Sequence, residues 1–247
     1  MVERGRGLYY GISEYGGQFY IAARKRMVSS DVPVNRERGE IVVLNRALLP
    51  VDTISAPFPL RDIHEIAWHG AKLWITCAFD NMIALFDGRN WERWYPLGKS
   101  ASEPFDRNHI NSLYFEQDTI IVLAHNWGAS SLHFFALDTL AQTREIPLGV
   151  QAHNIWRHDD EYRTCSSGEG RLLGNRQFYI QTGGFPRGIA ECEGMVCVGV
   201  SEWAERAERD FTTGVLRFFD MGWRFLWDVP LPGEGLILDI QPYKGDK

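Results

Sequence analysis

Bulky polar residues recur in this 247-residue chain at one fixed place relative to a series of aliphatic residues. Each stands two positions before an aliphatic residue that we call an anchor, and each anchor is followed seven positions later by another apolar residue. The polar residues are Tyr10, His64, Asn111, His153 and Arg187, and the anchors are Ile12, Ile66, Leu113, Ile155 and Ile189. The recurrence indicates that these side chains hold equivalent places in a repeated fold.

These residue types are suited to two kinds of chemistry. A neutral imidazole binds a divalent metal or acts as a general base near neutral pH, whereas a guanidinium binds carboxylate, sulfate or phosphate. His109 shares the strand face of Asn111, and we expect it one level higher. His64, His109 and His153 are therefore candidate ligands of a divalent metal. Hydrogen bonding between repeats and a polar ligand pocket are the alternative interpretations of these histidines.

Further candidate ligand-binding residues follow the second strand of the repeats. His125 and Ser201 stand twelve positions after their anchors, in the same register as Arg24 and Ser167. Because equivalent positions converge in a repeated fold, we expect the side chains of His125 and Ser201 near the same ligand.

The segment SEWAERAERDFTTG supplies charged candidates. A short helical turn would place Arg206 and Arg209 on one side, close to Glu202. Two guanidinium groups that face one way suit an anion. An exposed loop in which both arginines pair with glutamates is the alternative.

The elements that would position these residues are short strands. The turns EYGGQ, HGAK, EQD, HDD and CEG separate each anchor from the next apolar run, so each repeat begins with a β-hairpin. Two more strand-like runs, such as MIALFD and WERWYPLG, follow most hairpins. Four short strands per repeat are typical of a β-propeller blade, and in a propeller the first strands surround a central channel.

The repeat count predicts an all-β, five-bladed propeller of four-stranded antiparallel blades, with residues 1–247 forming one domain. The last segment, GEGLILDIQPY, supplies only one more first strand, anchored at Ile240, which would close or extend the ring. Six blades remain an alternative, and a two-sheet β-sandwich is the second choice of architecture.

Composition narrows the classes of function. The net charge is -6 and no dense stripe of lysine and arginine occurs, which argues against a nucleic-acid partner. No run of eighteen apolar residues suggests a membrane span, and no apolar leader is evident, so we expect a cytoplasmic protein. Signatures of serine hydrolases, P-loop and dinucleotide-binding proteins and H-E-x-x-H metalloproteases do not occur.

The segments HNIWRHDDEYRTCSSGEGRLL and PRGIAECEGMVCVGVSEWAERAERDFTTGVLRFFD resemble a family of bacterial β-propeller-like proteins of unknown function. The resemblance spans about residues 60–240. It implies a propeller and draws attention to His153, Arg187, Ser201 and Glu202, but it implies no reaction. A more distant likeness connects the chain to six-bladed lactonase-like and lyase-like propellers, some of which hold a metal on the axis.

Three functions follow as hypotheses. The first is binding of a small polar, anionic ligand in the axial channel through the ring of His, Asn and Arg residues. The second is a lyase, hydrolase or isomerase that uses a divalent metal held by His64, His109 and His153, with Arg187 neutralising a developing anion. The third is a scaffold that binds a protein partner on one face.

Overall fold

The fold was analysed in a computed structural model that describes residues 5–99 and 105–243. Residues 1–4, 100–104 and 244–247 of the predicted domain lie outside the described residues. Twenty strands form five four-stranded antiparallel sheets, each built from four consecutive strands. The predicted five-bladed, all-β propeller is therefore confirmed, and the β-sandwich is wrong.

The strands of each blade run in chain order from the axis to the rim. Blade 1 contains β1 (Tyr9–Tyr15), β2 (Gln18–Ala23), β3 (Glu40–Leu44) and β4 (Pro50–Ile54). Blade 2 contains β5 (Ile63–His69), β6 (Lys72–Cys77), β7 (Met82–Phe86) and β8 (Trp91–Trp94). Blade 3 contains β9 (Ile110–Glu116), β10 (Thr119–Ala124), β11 (Ala129–Ala136) and β12 (Gln142–Val150). Blade 4 contains β13 (Ala152–His158), β14 (Glu161–Ser166), β15 (Arg171–Gly174) and β16 (Tyr179–Gln181). Blade 5 contains β17 (Phe185–Cys192), β18 (Met195–Ser201), β19 (Gly214–Asp220) and β20 (Phe225–Leu231).

Helical structure within the described ranges is limited to four single turns of 3-10 helix: Val34–Arg36, Ala78–Asp80, Ser167–Glu169 and Arg209–Phe211. None of these turns has the length or the apolar character needed to cross a membrane. The last one lies in the segment where the sequence predicted a short helical turn.

The hydrophobic core is divided among the interfaces between blades. Ile41 of blade 1 packs with Ile63 of blade 2, and Ile83 of blade 2 packs with Ile120 of blade 3. Corresponding apolar clusters join blade 3 to blade 4 and blade 4 to blade 5. Successive side chains of a strand point toward the two blades that flank it, which explains why β3, β7 and β10 are apolar over most of their length.

Each innermost strand carries a bulge next to its anchor. The pairing register shifts between Tyr10 and Ile12 in β1, and similar shifts occur in β5, β9, β13 and β17. A bulge bends the strand and re-aims its side chains. The bulges therefore turn the residue two positions before each anchor toward the axis.

Residues 236–243 lie between blades 5 and 1 and help to close the ring. The N–H of Ile237 donates to Oγ of Ser201 (3.0 Å), and Oδ2 of Asp239 accepts the N–H of Ile12 (2.8 Å). Residues 236–243 form no strand. The described residues thus contain no sixth blade, and the predicted closure by the C-terminal segment is confirmed.

Candidate axial metal and anion site

A cavity of about 360 Å³ opens on the axis of the ring. Tyr10, His64 and Arg187 reach it from innermost strands, while His109 and His125 reach it from the loop before β9 and the loop after β10. His153 and Asn111, which are 4% and 1% exposed, are not among the residues that line it. The structure therefore brings Tyr10, His64 and Arg187 of the predicted ring to one cavity, and the ring of His153 lies near that of His64. Asn111 instead donates from Nδ2 to the carbonyl oxygen of Ala152 (2.8 Å).

Three histidine rings converge beside this cavity. One ring nitrogen from each of His64, His109 and His153 lies within 4.8 Å of the other two. The ring centroids of His64 and His109 are 4.4 Å apart, and those of His64 and His153 are 6.4 Å apart. Side chains from three different blades therefore present nitrogen atoms to one point.

Hydrogen bonds determine which nitrogen of each ring carries the proton. Nδ1 of His64 donates to the carbonyl oxygen of Asp62 (2.9 Å), and Nδ1 of His109 donates to Oδ2 of Asp106 (2.5 Å). Nδ1 of His153 donates to Oγ of Ser167 (2.9 Å). Because Nδ1 carries the proton in each neutral ring, the lone pair is on Nε2. Nε2 of His153 is buried and has no hydrogen-bond partner.

His125 has the opposite tautomer. Its Nδ1 accepts the backbone N–H of Trp127 (3.0 Å), so its proton is on Nε2. Its ring lies 4.6 Å from that of His109 and 5.4 Å from that of His153. Burial lowers the pKa of His125 to about 2, which keeps the ring neutral. His125 is therefore a hydrogen-bond donor next to the three convergent nitrogens and is not a further ligand.

Burial also lowers the pKa of His64 and His153 well below the usual range. For His153 the Arg187 guanidinium contributes in the same direction. Both rings are consequently neutral, which is the state that binds a metal.

A buried ion network supports one wall of the cavity. Arg24 contacts Oδ1 of Asp62 through Nη1 (2.5 Å) and Oε2 of Glu37 through Nη2 (2.9 Å). Burial would raise the pKa of Asp62, but the Arg24 guanidinium holds it below its usual range. Asp62, Asp106 and His109 also form a second compact group of potential metal ligands. In that group Arg24 already engages Asp62, and His109 already engages Asp106.

The other wall is cationic. Arg187 is 8% exposed, its Nη1 donates to the hydroxyl of Tyr10 (3.1 Å), and its guanidinium lies 4.7 Å from the centroid of Phe185. Its Nε is buried without a partner. Arg206 and Arg209 line the same cavity. None of these three arginines pairs with a carboxylate of the described residues, so an anion would complete their interactions.

Two predicted site residues lie apart from this cavity. Oγ of Ser201 accepts the N–H of Ile237 and so holds the closing segment. Glu202 is exposed, and its Oε2 accepts the N–H of Thr213 (3.1 Å). Ser201 therefore has a structural contact, and Glu202 stands at the side of the cavity, near Trp203 and Arg209.

Three residues of the site were not predicted from the sequence. They are the carboxylates Glu37, Asp62 and Asp106. The sequence could have predicted Asp62, because Asp62 stands four positions before the anchor Ile66, just as His109 stands four positions before the anchor Leu113. The same register holds Gln151, Phe185 and Leu236, and all of these residues line the cavity.

Comparisons with known proteins support the fold. Neither a protein-family model nor a curated protein matches the sequence. A streptogramin B lyase structure is 13% identical with a TM-score of 0.57, and the match covers 90% of this chain and 68% of the lyase. Regucalcin from Agrobacterium tumefaciens strain C58, a calcium-binding protein, is 14% identical with a TM-score of 0.56, covering 90% and 73%. The designed protein Ika8 is 10% identical with a TM-score of 0.50; the match covers 96% of this chain and spans 65% of Ika8. At these identities the chain shares a propeller fold with them.

Proposed function

We propose that this propeller binds one divalent metal ion through His64, His109 and His153 and, at that ion, a small anionic molecule. The observation that supports this proposal is the pattern of the Nδ1 hydrogen bonds. A carbonyl oxygen, a carboxylate and a hydroxyl each accept one of these protons, which leaves three Nε2 lone pairs for a common ion. Metal-binding histidines usually donate their other nitrogen to such acceptors.

The donor set favours a particular class of metal. Three imidazoles suit Zn²⁺, Fe²⁺, Co²⁺, Ni²⁺ or Cu²⁺, whereas Mg²⁺, Ca²⁺ and Mn²⁺ prefer oxygen ligands. Three neutral ligands leave the charge of the ion uncompensated and leave coordination positions free. An anion that enters the cavity would meet the ion on one side and Arg187 on the other.

Metal content tests the first half of the proposal. The chain, purified without a histidine tag and stripped with a chelator, is reloaded with Co²⁺ and measured by elemental analysis and visible absorption. We expect one ion per chain, and we expect His64→Ala, His109→Ala and His153→Ala each to lose it. His133→Ala is the matched control, because His133 is also buried but lies on β11 and pairs with Glu145. Co²⁺ retained by all three variants would contradict the proposal.

Calorimetry with oxalate tests the second half. We expect oxalate to bind the Co²⁺-loaded chain more tightly than the stripped chain, and Arg187→Met to weaken binding to both. Oxalate affinity that is independent of Arg187 would exclude an anion site at this wall.

A metal-dependent lyase, hydrolase or isomerase is the second candidate, and the position of His125 favours it. Its Nε2–H is a neutral donor on a ring beside those of His109 and His153, where it would stabilise negative charge that develops on a substrate oxygen. Turnover of carboxylated substrates, followed by mass spectrometry, should then require both the metal and His125. Ligands returned unchanged by the loaded chain would favour a binding protein.

A further inference from the structure

Two tryptophan side chains stand at the axial cavity with much of their surface exposed. Trp127 follows β10 in blade 3 and is 54% exposed, and Trp203 follows β18 in blade 5 and is 56% exposed. Both line the cavity. Because large aromatic side chains gain most from burial, exposed indoles at a polar cavity indicate a ligand that covers them.

The indole of Trp127 is held in place by its backbone and its own N–H group. Asn126 and Trp127 have φ angles of +54° and +57°, a left-handed conformation that is rare for a bulky residue. The indole Nε1–H donates to the carbonyl oxygen of Asp106 (3.0 Å), and the ring centroid lies 4.7 Å from that of His109. Such backbone strain is characteristic of functional sites.

Trp203 approaches the cavity from the side of the arginines. Its ring lies edge to face against Phe185, with centroids 5.0 Å apart, and Phe185 packs under the Arg187 guanidinium. One indole is thus next to the candidate metal ligands, and the other is next to the candidate anion site. A ligand that reaches both groups passes an aromatic surface at each end.

We propose that the ligand is a carboxylate carried on a ring, either a sugar ring or an aromatic one. This inference rests on the proposed function, since it concerns the same anion. The flat face of a sugar or aromatic ring packs on an indole, while the carboxylate lies between Arg187 and the proposed ion. A cavity of about 360 Å³ is at the small end of ligand sites, which suits one ring.

Matched ligands test the inference with the Co²⁺-loaded chain. Glucuronate carries a carboxylate on a sugar ring, benzoate carries one on an aromatic ring, gluconate is an open-chain sugar acid, and glucose is a ring without charge. We expect glucuronate or benzoate to bind at least about tenfold more tightly than gluconate and glucose in calorimetry, and to quench tryptophan fluorescence. If glucuronate binds more tightly than benzoate, the ligand carries a sugar ring; if benzoate binds more tightly, it carries an aromatic ring.

Substitutions of the two tryptophans test whether their indoles cause the preference for carboxylates carried on a ring. Trp203→Leu and Trp127→Gly, each loaded with one Co²⁺ per chain, should each reduce the preference for glucuronate or benzoate about tenfold. Glycine is chosen because it tolerates the φ of residue 127. Trp227→Leu, at a half-exposed tryptophan of the outer strand β20, is the control. Equal affinity for glucuronate, benzoate and gluconate, with dependence on Arg187, would overturn this inference alone. Absence of binding by every acid would overturn the proposed function as well.

Discussion

Oγ of Ser167 accepts the Nδ1 proton of His153 at 2.9 Å and donates its own proton to the carbonyl oxygen of Pro186 at 2.6 Å. This pair fixes the tautomer of a buried ring and leaves Nε2 of His153 without a partner. Ser167 therefore orients the nitrogen that would bind the proposed ion.

We expect Ser167→Ala to lower the metal affinity about 10-fold to 100-fold, because His153 loses the acceptor that orients its ring. Competition with a chromogenic chelator measures the change. Ser201→Ala is the control, since Ser201 holds the equivalent place in blade 5 but contacts Ile237 instead. An unchanged metal affinity in Ser167→Ala would show that packing alone orients His153.

Arg24 and Arg187 are both buried arginines of the same cavity, but replacing them should have opposite effects on stability. Arg24→Met leaves Asp62 and Glu37 buried without their cation, so we expect the free energy of unfolding to fall by about 3–5 kcal/mol. Burial lowers the pKa of Arg187, which means that its charge is unfavourable in the folded chain. Arg187→Met should leave the free energy of unfolding unchanged or raise it. Urea denaturation of the two ligand-free variants measures the free energy of unfolding of each. An equal decrease in the two variants would contradict the expected difference between Arg24 and Arg187.

Gly11 permits the close approach of blades 1 and 2. An added Cβ would lie 2.5 Å from the backbone nitrogen of Ile66, and the φ of Gly11 is +69°. We expect Gly11→Ala to lower the free energy of unfolding by more than about 3 kcal/mol, since backbone strain and overlap combine. Gly16→Ala, with φ +59° and open space around it, should cost only about 1–2 kcal/mol. Similar melting temperatures for the two variants would contradict this account.

Asp239 gives the ring closure a dependence on pH. Burial raises the pKa of its carboxyl to about 6, above the value of an exposed aspartate. The folded chain therefore binds this proton at a pH where the unfolded chain has lost it, so the group favours folding more as the pH falls from 7 to 5. In Asp239→Asn we expect a smaller gain in the free energy of unfolding over this interval than in the unsubstituted chain.

Urea denaturation at pH 5, 6 and 7 measures that difference. Asp87→Asn is the control: hydrogen bonds from Asn90 lower the pKa of Asp87 to about 2, so it stays ionised throughout the interval. Identical pH profiles for Asp239→Asn and the unsubstituted chain would show that the carboxyl is already ionised when buried.

The blades, and the approach of Tyr10, His64 and Arg187 to one cavity, were predictable because both follow from repetition. An anchor such as Ile66 marks the same place in each innermost strand, so the position of His64 predicts that of His153. Loops do not repeat: Glu37 comes from the long connection between β2 and β3, and Asp106 from the connection that precedes β9. Their partners Arg24 and His109 become visible only when the chain is folded. The bulges were also unpredictable, because glycine marks only those at Gly11 and Gly188 among the five strands.

The closing segment gives the cavity one thin wall. Around most of the axis a four-stranded sheet separates the interior from solvent, but in the sector between blades 5 and 1 this role falls to residues 236–239. Leu236 lines the axial cavity and also an outer groove of about 420 Å³ on the other side of the segment. Amide protons of this segment should exchange with deuterium sooner than those of the innermost strands, and the interior would then become accessible from the side as well as along the axis.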